Sequence, residues 1–173
     1  MSERTLLVDA SVFITLSRID SVELLACFRG DVVMPNAVTA EITSTPADEC
    51  VNEGIQNGWI LEDNLYPAEA LSQARNHLGR SGQQIDGDVA LLTIALGEDN
   101  PILVTDDKPL RQTCKSLSIP VSGSIGVLIR AVECDAIEPD EAKSKLYAMD
   151  EVGARLSASL VKRAEKLIDD ASD

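Results

Sequence analysis

Leu6-Leu7-Val8-Asp9-Ala10-Ser11 and Ile102-Leu103-Val104-Thr105-Asp106-Asp107 are the stretches whose reading decides the fold. In each, three consecutive apolar residues end on polar ones and run on into a helical pattern. A short apolar run of this kind reads as a strand buried on both faces, which is the habit of parallel sheets. Outward from these two, the alternation repeats. Val32-Val33-Met34 is a strand closed by Pro35, Trp59-Ile60-Leu61 a strand near the sheet edge, and Pro120-Val121-Ser122 a short fifth one. Helical patterns cover Ala10 to Arg18, Val22 to Phe28, Pro67 to Leu78, Asp88 to Leu96, Pro109 to Leu117 and Ile125 to Val132. Asn36 can cap a further helix that carries Val38 and Ile42 on one face, and Pro46 can start a short one that ends within Gly54 to Gly58. Strands alternating with helices specify a parallel sheet with crossover helices.

The tail is helical. Pro139 fits the first turn of one helix, with Ala142, Leu146 and Met149 along one face. Gly153 breaks it, and Ser157 can cap a last helix carrying Leu160, Ala164, Leu167 and Ile168. Residues 1–135 are therefore expected to form the α/β unit, with 136–173 as a helical appendage packed on the same domain.

A length of 173 residues, 45% of them hydrophobic, suits one globular domain. No apolar run approaches the ~20 residues of a membrane span. Met1-Ser2-Glu3-Arg4 leads straight into the first strand without a secretory apolar segment, so the expected location is the cytoplasm, away from membranes. The four cysteines, Cys27, Cys50, Cys114 and Cys134, form no C-x-x-C pair and read as buried reduced thiols. The one histidine, His77, sits in a polar stretch and is expected to face solvent. A Ser-His-Asp or Cys-His mechanism would have to run through it, and no nucleophile motif accompanies it.

The acids carry the functional information. In open parallel sheets, ligands bind outside the carboxyl ends of the strands. Asp9 directly follows the first strand, and Asp106 and Asp107 follow the fourth. Asp88 opens a strongly apolar helix, and Glu41 lies in the helix after the second strand, next to Ile42. Taken singly, each has a plainer explanation. Asp9 and Asp88 can be helix caps, Glu41 a solvated helix residue, and Asp106-Asp107 a helix-start turn. Together they form an oxygen-only donor set, which favours magnesium or manganese over zinc. Clustered carboxylates raise one another's pKa unless a cation neutralises them, and that cation can activate water against a phosphodiester.

Several motifs resemble the PIN-domain family. Leu7-Val8-Asp9-Ala10-Ser11 through Ile14, with Val33-Met34-Pro35-Asn36-Ala37-Val38 and Glu41-Ile42, looks like the front half of such domains. Asp86-Gly87-Asp88-Val89-Ala90-Leu91 and Leu103-Val104-Thr105-Asp106-Asp107-Lys108 look like their third and fourth acidic motifs. Ser122-Gly123-Ser124-Ile125-Gly126-Val127-Leu128 and Gly153-Ala154-Arg155-Leu156-Ser157 resemble the turn and tail of one prokaryotic subgroup. The resemblance implies a three-layer α/β/α sandwich around a parallel sheet of about five strands. It implies RNA hydrolysis with Mg²⁺ or Mn²⁺, in a VapC-like setting where the chain is the toxin of a toxin–antitoxin pair, with an antitoxin protein as partner and a homodimer as the assembly. Asp9 and Asp88 would be the main metal ligands, joined by Glu41 and an acid from Asp106-Asp107, with Ser11 and Thr105 orienting water or phosphate. The subgroup's third acid is commonly Glu; here it is Asp88, one methylene shorter.

Between the adjacent acids the resemblance leaves the choice open: the toxin-like T-x-D spacing from Thr105 implies Asp107, and the subgroup's strand-ending aspartate implies Asp106. Asp106, one residue beyond its apolar triplet, holds nearly the place that Asp9 holds after its own, and this selects Asp106 for the metal. Asp107 is then left to cap the next helix or hold a metal-bound water. A phosphotransfer receiver would need its acidic pair after the first strand, and a haloacid-dehalogenase-type phosphatase would need D-x-D where Asp9-Ala10-Ser11 stands. The competing reading from another class is a non-catalytic PIN module that binds RNA or a protein. The net charge of −14 bears on that choice. A binder of phosphate backbones ordinarily presents a basic face. Either the acidity is a solvated surface of the high-salt type, which the motifs favour, or the partner is not nucleic acid.

Overall fold

The computed structural model describes residues 3–173. The reading of Met1 and Ser2 lies outside them. Five strands form one parallel sheet: β1 (Arg4–Val8), β2 (Gly30–Val33), β3 (Ile60–Leu61), β4 (Pro101–Val104) and β5 (Val121–Ser122), in the order β3-β2-β1-β4-β5. β1 is central. Its Leu6, Leu7 and Val8 are fully buried, as are Leu103 and Val104 of β4, which accounts for their unbroken apolar runs. The β1–β4 register pairs Leu7 with Leu103 and Val8 with Val104.

Nine α-helices are seen among the described residues: α1 (Ala10–Arg18), α2 (Asn36–Thr39), α3 (Ala47–Gln56), α4 (Ala68–His77), α5 (Gly87–Gly97), α6 (Lys108–Ser116), α7 (Ser124–Glu133), α8 (Pro139–Met149) and α9 (Ala158–Ala171). A 3₁₀ segment, Val22–Phe28, stands where a helix was expected. Parallel crossovers are right-handed. The chain steps one way from β1 to β2 and the opposite way from β3 to β4, so α1 and α5 cover opposite faces of the sheet. This is the α/β/α sandwich. α5 packs on β1 and β4 with α2 and α4 against it, and this double cover buries every residue from Val89 to Ala95.

The tail joins the same core. Ala142, Leu146, Met149, Ala164 and Ile168 are buried in one apolar cluster with the sheet residues, and α8 and α9 pack on α7. Leu160 and Leu167, two of the four apolar residues that α9 was expected to carry, are 39% and 43% exposed. α9 has neighbours on one side only, and Ala164 and Ile168 fill that narrow contact. Asn36 is not the cap of α2; it is the first residue of a single turn that ends at Thr39, and its N–H donates to Asn64 Oδ1 at 2.7 Å. Glu41 therefore lies in the turn beyond α2 rather than on a helix. All four cysteines are free, Cys114 alone among them fully buried, and His77 is exposed. No helix among the described residues is long and apolar enough to cross a membrane.

Candidate active site

The strand order reverses direction between β1 and β4, and the crevice beyond their carboxyl ends is where a doubly wound sheet binds ligands. Asp9 stands there. It continues the sheet by donating its N–H to the Val104 carbonyl at 2.9 Å and is 6% exposed. One carboxylate oxygen accepts the Ala10 N–H at 2.8 Å, starting α1. The other accepts the Thr105 hydroxyl at 2.7 Å and the Ser11 hydroxyl at 3.2 Å. Capping thus occupies one oxygen and leaves the second in the crevice with two hydroxyl donors. Burial pushes the Asp9 carboxyl above its ordinary pKa of 3.8; the Thr105 hydroxyl, the Ala10 N–H and the Ser11 hydroxyl work against the rise, and the Asp107 charge adds to it.

Asp88 sits one residue inside α5. The cap of that helix is Asp86, whose side chain accepts the Val89 N–H at 2.9 Å. Asp88 is thereby released from capping, and its carboxyl is pushed from 3.8 to about 6, first by burial and then by the charges of Asp9, Asp107 and Asp86. Glu41 reaches the same place from the turn after α2. Its carboxylate lies over Gly87, where a Cβ would stand 2.8 Å from its Oε1, so the missing side chain at Gly87 makes room for it. Its pKa is raised, by burial and then by the Asp9 charge, while the Gly87 N–H opposes the rise.

The adjacent acids divide. Asp107 caps α6 through Oδ2, which accepts the Leu110 N–H at 3.0 Å, and its charge acts on both Asp9 and Asp88. Asp106 is turned onto α7, accepting the Ser124 N–H at 2.8 Å and the Ser124 hydroxyl. The expectation that Asp106 matches Asp9 counts one residue too far. β4 ends at Val104, which pairs with Val8, so the residue level with Asp9 is Thr105. Side chains alternate along a strand, and Thr105 spends that position on its hydrogen bond to Asp9.

Four carboxylates from four segments, Asp9, Glu41, Asp88 and Asp107, are therefore electrostatically coupled. Among the described residues, no three His, Cys, Asp or Glu side chains lie close enough as they stand to clasp an ion directly. The group is a set of facing charges rather than a closed cage. A cleft of about 530 Å³ lies elsewhere, bordered by Glu23, Cys27, Arg29, Cys134, Glu141 and Lys145, and none of these acids lines it.

Over residues 5–170 the chain matches a family model described as a PIN domain. The chain belongs to the PIN-domain family. The match runs through α8 and nearly to the end of α9, so the helical tail is part of what the family model describes. No curated protein matches this PIN domain. PIN domains are generally nucleases, and the fold here is of that nuclease type.

Three residues of the site escaped sequence reasoning. Asp86 carried a signal: in Asp86-Gly87-Asp88-Val89, the acid three residues before Val89 is the one that can reach the N–H left open in the first helical turn. Ser124 carried a weaker one, as the first residue of a helix after Gly123. Arg80, which pairs with Asp86 and Asp88, carried none, because only the path of the loop brings it there.

Proposed function

We propose that this PIN domain is a metal-dependent ribonuclease, with Asp9, Asp88 and Asp107 as the groups that hold Mg²⁺ or Mn²⁺ and Glu41 beside them. The observation that carries the reading is the lift of Asp88 to about 6 by burial and by neighbouring acids at the sheet's switch point. Buried carboxylates that raise one another's pKa would be neutralised by a cation held among them. The donor set fits a hard ion, being all oxygen. Its openness suits magnesium, which keeps several waters and binds through one or two carboxylates rather than an all-protein cage. When bound, such an ion activates water and stabilises charge on the phosphodiester.

The chain's own residues prepare the site. The Thr105 and Ser11 hydroxyls fix the free oxygen of Asp9. The Asp86 cap frees Asp88 to face inward, and the Gly87 N–H steadies Glu41. Asp88 holds a proton below about pH 6, and a cation held there would have to displace it.

A labelled RNA strand incubated with Mn²⁺ or Mg²⁺, against a chelator control, tests the reading. Cleavage that needs the cation and disappears in Asp9→Asn supports it; an intact strand with every divalent ion overturns it. A second reading, a PIN module that binds RNA or a protein without cutting, draws on the lack of a ready-made ion cage among the described residues. Cation binding separates the two.

A further inference from the structure

Arg80 lies in the loop between α4 and α5. Its Nε stands 3.1 Å from Asp86 Oδ2, a terminal nitrogen stands 3.6 Å from Asp88 Oδ2, and the other meets the Leu78 carbonyl at 3.4 Å. Asp86 divides its work: Oδ1 caps α5 through the Val89 N–H, and Oδ2 holds Arg80. One edge of the guanidinium is thus moored to the start of the helix. The contact with Asp88 is the looser one, longer than a hydrogen bond. Of the four ion pairs among the described residues, the two made by Arg80 both fall on acids of this site; the others lie on α7 and between α8 and α9. In a chain of net charge −14, a guanidinium in this place is a specific arrangement rather than one cation among many.

We propose that Arg80 is a counter-ion that exchanges partners: it neutralises Asp88 while no cation is bound, and turns to a phosphate of the RNA strand when a divalent cation takes Asp88. The inference rests on the nuclease reading above. A guanidinium does not give up its charge, so the terminal nitrogen released from Asp88 keeps its charged donors while Asp86 holds Nε. With Asp88 occupied, the substrate supplies an anion, and a phosphate fits the forked donors. The side chain is 45% exposed, so a strand in solution can reach it, and the Asp86 mooring keeps it at the rim throughout. Arg80 is in this sense a substrate-binding residue.

A mere loop staple and an exchanging counter-ion predict different signs. Full-length wild type, Arg80→Ala and Arg80→Lys are compared for Mn²⁺ affinity by titration calorimetry, and for KM and kcat on a fluorescent RNA. Loss of the competing cation should tighten Mn²⁺ binding in Arg80→Ala about two- to fivefold, the scale of a partly exposed ion pair. Loss of the phosphate partner should raise KM about tenfold, with kcat changed less, and Arg80→Lys should recover part of the KM. Should the alanine variant not fold, Arg80→Gln keeps a donor for Asp86 and repeats both measurements. Mn²⁺ binding that weakens or stays level, or an unchanged KM, overturns the exchange. Failure of the nuclease reading looks different, because then the wild type itself leaves RNA intact with every divalent ion, and the exchange falls with it.

Discussion

The Thr105 hydroxyl donates to Asp9 Oδ2 at 2.7 Å and accepts the Asp107 N–H at 3.1 Å, so one buried side chain links two acids that are far apart in the sequence. Thr105 is fully buried, and no water reaches it to replace either bond. Thr105→Val keeps the shape and strands two polar groups. Leaving a buried donor or acceptor unmade costs about 1–3 kcal/mol, so denaturant titration should show a loss of that size. RNA cleavage should fall as well, because the free oxygen of Asp9 loses its closer hydroxyl donor. Unchanged stability and activity together would remove Thr105 from the site.

Asp9→Asn and Asp88→Asn should abolish cleavage while the fold persists. For Asp88 the pH dependence of stability is the sharper readout. Burial and the charges of Asp9 and Asp107 raise its folded pKa from 3.8 to about 6, so between those values the folded chain holds a proton that the unfolded chain has released. Stability from this group is therefore greatest below about pH 4, falls as pH rises toward about 6, and loses nothing further above it. Without metal, Asp88→Asn should melt level with or above the wild type at pH 7 and lack that decline. A wild-type melting temperature that climbs between pH 4 and 6, by more than the variant's, would contradict the coupling.

Divalent cations should reverse the same effect. Binding to the folded state alone adds RT ln(1 + [L]/Kd), about 2.7 kcal/mol at a hundredfold excess over Kd. Thermal melts at pH 7 from zero to millimolar Mn²⁺ should rise. A flat series would favour the module that binds without cutting.

How far the sequence goes is visible residue by residue. Leu6-Leu7-Val8 and Ile102-Leu103-Val104 were legible as strands because both faces are covered, leaving no polar alternation to confuse the reading. Asp9 followed from its place after the first strand, and Thr105 from the family resemblance. Strand ends were legible only to within a residue, and that single residue decides whether Thr105 or Asp106 stands level with Asp9. Glu41 was legible as an acid near the site but not as a turn residue, because the spacing of Val38 and Ile42 suits a longer helix than the single turn that ends at Thr39. Arg80 stayed hidden, since its contact with Asp88 arises from a loop whose course no periodicity encodes.

Ionic strength should act on this protein with an uncommon sign. A net charge of −14 on 173 residues repels itself, most at low salt, where screening is weak. Potassium chloride raised from about 10 mM to 1 M shortens the screening length from about 30 Å to 3 Å, so the melting temperature should rise. Stability that falls steadily over that range would sink the high-salt interpretation of the acidic surface.

Asp106 and Asp107, neighbours in sequence, should separate in function. Asp107 caps α6 and also directs its charge at Asp9 and Asp88. Asparagine caps a helix about as well as aspartate, so Asp107→Asn removes the charge and spares the cap. It should weaken Mn²⁺ binding and cleavage strongly while the melting temperature without metal holds or rises. Asp106 instead accepts the Ser124 N–H and hydroxyl, bonds between a carboxylate and the start of α7. Its neighbour Gly123 leaves room for it, since a Cβ there would stand 2.5 Å from Asp106 Oδ1. Asp106→Asn weakens those charge-assisted bonds and the interaction with the helix dipole, a loss of about 1–2 kcal/mol, yet leaves the coupled acids in place. It should therefore cost stability more than Mn²⁺ affinity. Calorimetric Mn²⁺ titration and thermal melts on both variants read the two effects separately. Weaker Mn²⁺ binding in Asp106→Asn than in Asp107→Asn would return the ligand role to Asp106.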